Sequence, residues 1–139
     1  MQRNSKKRQR ILECLQGTTT HPSADWIYAQ LKPAYPDLSL ATVYRNLHQL
    51  REEGIIESVG FIQGQERFDG NVTPHTHVVC VRCGKIGDLP ALTLPDFWVT
   101  RAEQEMDYRL LPTDLMINGI CRSCDQKENT TWTQKQCKN

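Results

Sequence analysis

Four aliphatic side chains between residues 40 and 50 are spaced by three, four and three positions, which predicts one apolar face of a helix. These side chains are Leu40, Val43, Leu47 and Leu50. Ser39 precedes them as a candidate N-cap, and Gly54 follows them as a candidate helix terminator. The pattern therefore predicts a helix between Ser39 and Gly54.

Two shorter apolar groups precede this helix. The apolar positions 11, 12 and 15 share one face of a Lys- and Arg-rich segment that ends at Gly17. Ser23 is a second candidate N-cap, and the apolar positions 26, 27 and 31 follow it before Pro33. A short helix joined by a tight connection to a second helix is typical of a helix-turn-helix.

Residues 55–59 and 65–69 predict two strands around Gly60 and Gly64. A hairpin that directly follows a helix-turn-helix forms a wing, which favours DNA binding. A helical scaffold with an incidental hairpin has the same periodicity, so the pattern alone leaves both interpretations open.

The second half of the chain follows the turn-forming residues 71–74, where we place the domain boundary. Strands are predicted over 77–81, 85–89, 106–111 and 115–120, with a helix over 95–105 that starts at Pro95. Residues 125–139 are polar and without periodicity, so we expect a flexible tail.

Composition narrows the class of protein. The chain has 139 residues, 16.0 kDa and a net charge of only +1, which excludes a uniformly basic nucleic-acid binder. Residues 1–53, however, carry eight basic and five acidic side chains, which suits a polyanionic partner. Because no apolar run approaches the roughly 18 residues of a membrane span and no signal peptide is evident, we expect a cytoplasmic protein with no membrane partner.

Two Cys-x-x-Cys pairs carry the strongest chemical signal. Cys80 and Cys83 are separated by 37 residues from Cys121 and Cys124. Each pair can turn two thiolates onto one ion, and two pairs complete a closed tetrahedral site typical of structural zinc. Unligated cysteines or a redox disulfide within one pair are the alternatives.

Imidazoles and carboxylates form a second candidate cluster. His75 and His77 lie on the same face of a predicted strand, with Asp69 and Asp88 nearby in sequence. Such donors, without thiolate, suit Fe(II), Mn(II) or Zn(II). His21 precedes the second helix, and taken alone it is more typical of a turn than of a metal site.

The remaining candidates concern DNA. The outward face of the third helix carries Thr42, Tyr44, Arg45 and His48; Tyr44 and Arg45 would contact bases or backbone, and His48 fits a solvated side chain or a phosphate contact. Phosphate contacts are expected from Lys6, Lys7, Arg8 and Arg10. Cys14 is expected to be a small core residue on the apolar side of the first helix. Cys137 is expected to be a free thiol in the tail.

Several segments together resemble the ferric uptake regulator (Fur) family. They are 39–47 (SLATVYRNL), 67–69 (RFD), 75–86 (HTHVVCVRCGKI) and 121–124 (CRSC). The resemblance is strongest to the peroxide-stress regulators (PerR-like), because Asp88 stands where iron-uptake members typically have Glu. The resemblance implies a homodimeric winged-helix repressor of operator DNA that is not an enzyme.

The resemblance also implies a role for each site. Structural Zn(II) would be held by Cys80, Cys83, Cys121 and Cys124. Regulatory Fe(II) or Mn(II) would be held by His21, Asp69, His75, His77 and Asp88. Hydrogen peroxide, the only expected small-molecule substrate, would oxidise His21 or His75 in the iron form and lift repression. The alternatives are a metal-uptake repressor of the same family responding to Fe, Zn or Mn, a non-haem iron enzyme, and a cysteine redox switch.

The expected fold class is α+β. Residues 1–70 are predicted to form a winged helix-turn-helix DNA-binding domain, and residues 71–74 a hinge. Residues 75–124 are predicted to form a small α/β dimerisation and metal-binding domain stapled by the four-cysteine zinc site, followed by the polar tail 125–139.

Overall fold

The computed structural model describes residues 2–111 and 115–127. The predictions for Cys137 and for residues 128–139 of the tail lie outside these residues. The chain divides into two compact units, Met1–Thr73 and Pro74–Asn139. The helices and strands, in chain order, are α1 (Gln2–Gln16), α2 (Ala24–Leu31), α3 (Leu40–Glu52), β1 (Glu57–Ile62), β2 (Gln65–Asp69), β3 (Thr76–Cys80), β4 (Ile86–Leu89), α4 (Asp96–Glu105) and β5 (Met116–Gly119).

The ends of the three helices of the first unit, and the starts of α2 and α3, lie where the sequence predicts. At the start of α2, the Ser23 hydroxyl accepts a hydrogen bond from the Trp26 amide. At the start of α3, the Ser39 hydroxyl accepts one from the Thr42 amide. These bonds satisfy amides that have no partner within the helix, which fixes the first turn of each helix. Beyond α3, Gly54 adopts φ +75°, a left-handed conformation that terminates the helix.

The apolar faces of these helices meet in one core. Val43, Leu47 and Leu50 of α3 are fully buried, and they join other buried side chains from all three helices and the hairpin. Those other members are Ile11, Leu15, Ala24, Ile27, Leu38, Ile56 and Phe68. The prediction of an apolar helical face between residues 40 and 50 is confirmed for its last three members, while Leu40 is half-buried at its edge.

The hairpin β1–β2 is antiparallel and forms the wing. Gln63 and Gly64 connect its strands with φ values of +53° and +82°, as a tight two-residue turn requires. The strand β1 runs through Gly60, where the register shifts by a bulge, and so extends further than the predicted 55–59. Helix-turn-helix and wing together give the first unit a winged helix-turn-helix fold.

The second unit contains a three-stranded sheet in the order β4–β3–β5. The strand β3 pairs antiparallel with β4 and parallel with β5. The predicted strand over residues 106–111 is wrong, because the chain leaves α4 through Asp107 at φ +59° and is irregular there. Residues 122–127 are helical, so the expectation of a flexible tail is wrong for residues 125–127. The α+β class predicted from the sequence is confirmed.

Among residues 2–111 and 115–127, no helix is long and apolar enough to cross a lipid bilayer.

Candidate metal centres and nucleic-acid interface

The four cysteines of the two Cys-x-x-Cys pairs come together in the second unit. Cys80 ends β3, Cys83 lies in the turn that follows, and Cys121 and Cys124 follow β5. Because β5 lies parallel beside β3, the two pairs arrive at the same end of the sheet. The four sulfur atoms all lie within 4.8 Å of one another.

The sulfur spacing tests whether zinc fits. Four sulfur atoms that each lie about 2.3 Å from one ion at tetrahedral corners are separated by about 3.8 Å. The sulfur atoms of Cys83 and Cys121 lie 3.7 Å apart. Four thiolates leave no open position for substrate, so the cluster fits a structural zinc site.

The backbone prepares these thiols for metal. The amides of Cys121 and Cys83 donate to the Cys80 sulfur and lower the pKa of that thiol to about 6. The pKa of Cys121 is lowered in the same way, by the Cys124 amide. The Cys124 thiol donates to Cys121, which raises the pKa of Cys124 to about 12. The amides therefore favour thiolate, the form that binds metal, at Cys80 and Cys121.

A second donor set of the same unit consists of His75, His77 and Asp88. His77 and Asp88 are register partners across β3 and β4, and His75 lies two residues before His77. Asp88 Oδ1 lies 3.3 Å from His75 Nε2 and 3.5 Å from His77 Nε2. The two imidazole rings stand edge to face with centroids 4.4 Å apart. Both histidines therefore face the Asp88 carboxylate.

The first unit carries its own imidazole–carboxylate pair. His21 lies in the loop before α2 and Asp69 ends β2, with 3.3 Å between His21 Nε2 and Asp69 Oδ2. Both side chains are buried, with 2% and 9% of their surfaces exposed. A buried polar pair in a turn is informative, because His21 taken alone is typical of a surface turn. Both donor sets combine nitrogen and oxygen without sulfur, which suits Fe(II) or Mn(II).

The outward face of α3 is the candidate surface for DNA. Tyr44 and Arg45 are exposed, and Arg45 Nη2 donates to the Thr42 hydroxyl at 3.2 Å. Partial burial and the Asp25 carboxylate raise the pKa of Tyr44, so its phenol stays neutral and able to donate. The DNA-binding candidates Thr42, Tyr44 and Arg45 therefore lie within about one turn of α3.

Three basic residues of α1 are paired with acidic residues of the same unit. Lys7 Nζ lies 3.4 Å from Asp37 Oδ2, Arg10 Nη1 lies 2.9 Å from Glu13 Oε2, and Arg8 contacts Glu53. Lys6 is exposed. Exposed pairs of this kind contribute little to stability, so the same cations remain exchangeable toward phosphate.

Comparison with known proteins agrees with this geometry. The model of the ferric uptake regulator family matches residues 2–118, most of the chain. The chain belongs to this family. A peroxide-responsive repressor, PerR, of Staphylococcus aureus (strain USA300) is 36% identical over 126 residues, which cover 90% of this chain and 84% of the relative.

Solved structures of Fur-family regulators share the fold. The Campylobacter jejuni peroxide stress regulator aligns with a TM-score of 0.67 and 27% identity over 88% of this chain and 91% of its own. The Helicobacter pylori regulator Fur, which has three functional metal-binding sites, aligns with a TM-score of 0.67 and 25% identity over 87% of this chain and 83% of its own. The relatives are regulators, and the resemblance to the Fur family noted from the motifs is confirmed.

Two functional candidates were not evident from the sequence. Glu66 is buried beneath α3, and its carboxylate accepts a hydrogen bond from the Ser58 hydroxyl at 2.6 Å. The same carboxylate lies 3.5 Å from Arg51 Nη1 and 4.0 Å from His48 Nε2. Arg67, its neighbour, contacts the loop that holds His21. The sequence shows only adjacent opposite charges in a strand, a pattern that is common on solvated surfaces.

Proposed function

We propose that the protein is a homodimeric, metal-dependent repressor that senses hydrogen peroxide and then releases operator DNA. The observation that carries the proposal is the separation of two ligand chemistries in one winged-helix chain. A closed set of four thiolates suits a permanent structural ion. Imidazole–carboxylate donors suit an exchangeable Fe(II) or Mn(II) ion that can regulate.

A single regulatory ion would use donors from both units. Each donor set alone offers few ligands: His21 and Asp69 in the first unit, and His75, His77 and Asp88 in the second. Together they offer five, near the six positions of the octahedral geometry typical of nitrogen and oxygen ligands. An ion held by both sets would favour one arrangement of the units through its differential affinity for two states.

That selection would act on DNA through the dimer. Two recognition helices read half-sites about one helical turn apart or more, so their spacing must match the duplex. In each protomer, Tyr44 and Arg45 would meet bases or backbone, and Lys6, Lys7, Arg8 and Arg10 would meet phosphates. Exposed apolar side chains of the second unit, with Phe97 68% and Trp98 54% exposed on α4, support a role for this unit in pairing two protomers.

Peroxide sensing rests on the ligand imidazoles. Bound Fe(II) would supply the redox chemistry by which hydrogen peroxide adds one oxygen atom to an imidazole and leaves as water. The family resemblance points to His21 or His75 as the residue that would receive that oxygen atom, and Nε2 of each faces a carboxylate of the ligand set. The modified ring is a poorer ligand, so the ion is lost and the DNA-competent arrangement is no longer favoured.

DNA binding with two metals tests the proposal. The probe is a duplex selected from a random-sequence pool with Mn(II)-loaded protein, and the measurement is fluorescence anisotropy with Fe(II) or Mn(II), each with and without hydrogen peroxide. We expect peroxide to abolish binding only with iron. Peptide mapping should then find the mass of one added oxygen on His21 or His75, with His48 unmodified as the internal control.

Other outcomes select other functions. Equal DNA binding with both ions, unaffected by peroxide, would identify a repressor that responds to metal abundance. Loss of zinc together with oxidation of the cysteines, and no modified histidine, would identify a cysteine redox switch. Turnover of a small substrate would identify a non-haem iron enzyme.

A further inference from the structure

Arg67 lies on the wing strand β2, yet its guanidinium faces the loop before α2. Its Nη2 donates to the Thr20 carbonyl at 2.8 Å, and its Nε donates to the His21 carbonyl. Two guanidinium donors thus hold two successive carbonyls, which a single ammonium of lysine cannot do with the same geometry. The guanidinium of this basic wing residue is therefore engaged within its own unit.

The loop that Arg67 holds has a rarely adopted backbone conformation at His21, the candidate metal ligand. His21 adopts φ +53°, in the left-handed region that non-glycine residues rarely occupy. Such a conformation persists only where surrounding contacts determine it. The neighbouring Phe68 amide donates to the Pro22 carbonyl at 3.0 Å, so β2 holds this loop at two successive residues.

The same strand also supplies the carboxylate that faces the ring. Arg67 and Asp69 are two residues apart in β2, so their side chains leave the same face of the strand. Arg67 holds the His21 backbone, while Asp69 Oδ2 lies 3.3 Å from His21 Nε2. Backbone and ring of one candidate metal ligand are thus oriented from a single strand.

We propose that Arg67 is a positioning residue for regulatory metal: its guanidinium holds His21 in the conformation that binds the ion. The proposal rests on the proposed function, in which His21 is a metal ligand. Because the loop is held before metal arrives, little ordering remains to be done on binding. Residues that orient a ligand from outside the coordination sphere typically contribute 10–100-fold in metal affinity.

Electrostatics alone predicts the opposite change in metal affinity when Arg67 is removed, so a measurement of that affinity distinguishes the two effects. Arg67 is a cation close to a site for another cation, so by charge alone its removal should tighten metal binding. If positioning dominates, removal should weaken binding although a repulsive charge is lost. A neutral replacement of similar length, Arg67→Met, separates the two effects, and Arg67→Lys keeps the charge while losing the fork.

The experiment measures the Mn(II) affinity of zinc-containing full-length protein by competition with a fluorescent chelator. The variants are Arg67→Met, Arg67→Lys and His21→Ala. Arg101→Met is the control matched for charge, since Arg101 is an exposed residue of α4 paired with Glu105 at 3.2 Å. Zinc content and thermal melting in the presence of a chelator of the regulatory metal report whether each variant is folded.

We expect the dissociation constant for Mn(II) to rise about 10–100-fold in Arg67→Met and less in Arg67→Lys, with Arg101→Met unchanged. Unchanged or tighter binding in Arg67→Met would overturn the positioning role. If Arg67→Met does not fold, Arg67→Lys decides: wild-type affinity in a folded Lys variant overturns the proposal, and weakened affinity supports it. If His21→Ala binds Mn(II) like the wild type, the proposed function fails instead.

Discussion

Loss of one zinc ligand should unfold the second unit and leave the first unit intact. The change is Cys121→Ser, with Cys14→Ala as the matched control because Cys14 belongs to α1 and lies outside the cluster. We expect the two units to respond differently because the first unit has a much larger apolar core than the second. Among the side chains that the structure describes, ten buried apolar ones form the core of the first unit.

The second unit has far less to hold it together. Its buried aliphatic side chains among the described residues are Val79, Ile86 and Ala102, with 7%, 4% and 7% exposed. Burial of one Val or Ile side chain contributes about 1.5–3 kcal/mol. A structural zinc site contributes on the order of 10 kcal/mol, which exceeds what these side chains supply together. Since a whole domain is stable by only about 5–15 kcal/mol, losing the site removes most of the stability of this unit.

Amide NMR spectra and zinc analysis measure the outcome. In Cys121→Ser we expect zinc to be absent and the amides of β3, β4 and β5 to lose their dispersion, while those of α1, α2 and α3 keep it. Cys14→Ala should retain zinc and both sets of signals. A zinc-free Cys121→Ser protein with a dispersed β3–β5 spectrum would refute the reasoning, as would concerted loss of both sets of signals.

Three further predictions concern the first unit. Glu66→Gln should lower the free energy of unfolding by about 1–3 kcal/mol in urea titrations, because a buried charged acceptor of the Ser58 hydroxyl is lost; an unchanged midpoint would contradict this. Arg8 lowers the pKa of Glu53, so their pair stabilises the fold above the ordinary carboxyl pKa near 4.5 and loses this contribution as the pH falls through the lowered value. The Tm deficit of Arg8→Met should therefore be present at pH 7 and vanish in acid, and a constant deficit would contradict it. Ser39→Ala should cost about 1 kcal/mol by removing the cap of α3, measured by thermal melting, with Ser39→Thr nearly unchanged.

The sequence predicts those parts of the structure that depend on local pattern. Ser23 and Ser39 mark the helix starts because a side-chain cap requires only its own next residues. The Cys80 and Cys121 pairs can be predicted to share one ion because each has the two-residue gap typical of a zinc site. The cap depends on local sequence alone, whereas the two pairs meet through the pairing of β5 with β3.

The strand predicted over residues 106–111 shows where pattern misleads. Met106 and Tyr108 alternate with polar residues, as in a half-buried strand. In the structure these two side chains are 58% and 64% exposed. Alternation identifies apolar surface that something must cover, but it does not say that a neighbouring strand of the same chain covers it. An apolar surface that packs against a second protomer would give the same alternation of apolar and polar residues.

The sequence predicts the strand β2 but not the burial of its polar residues, because both of its faces carry polar side chains whose partners come from distant parts of the first unit. Glu66 and Phe68 lie on the face toward α3 and the core, and Arg67 and Asp69 lie on the opposite face. Glu66 and Asp69 are both buried, whereas an ordinary wing strand would expose such residues. Burying charge in a strand this short is costly unless each group has a partner. On one face, Glu66 has partners on α3; on the other, Asp69 faces His21 in the loop before α2. The polar residues of β2 therefore connect the candidate DNA-binding helix with the candidate metal ligand within a single unit.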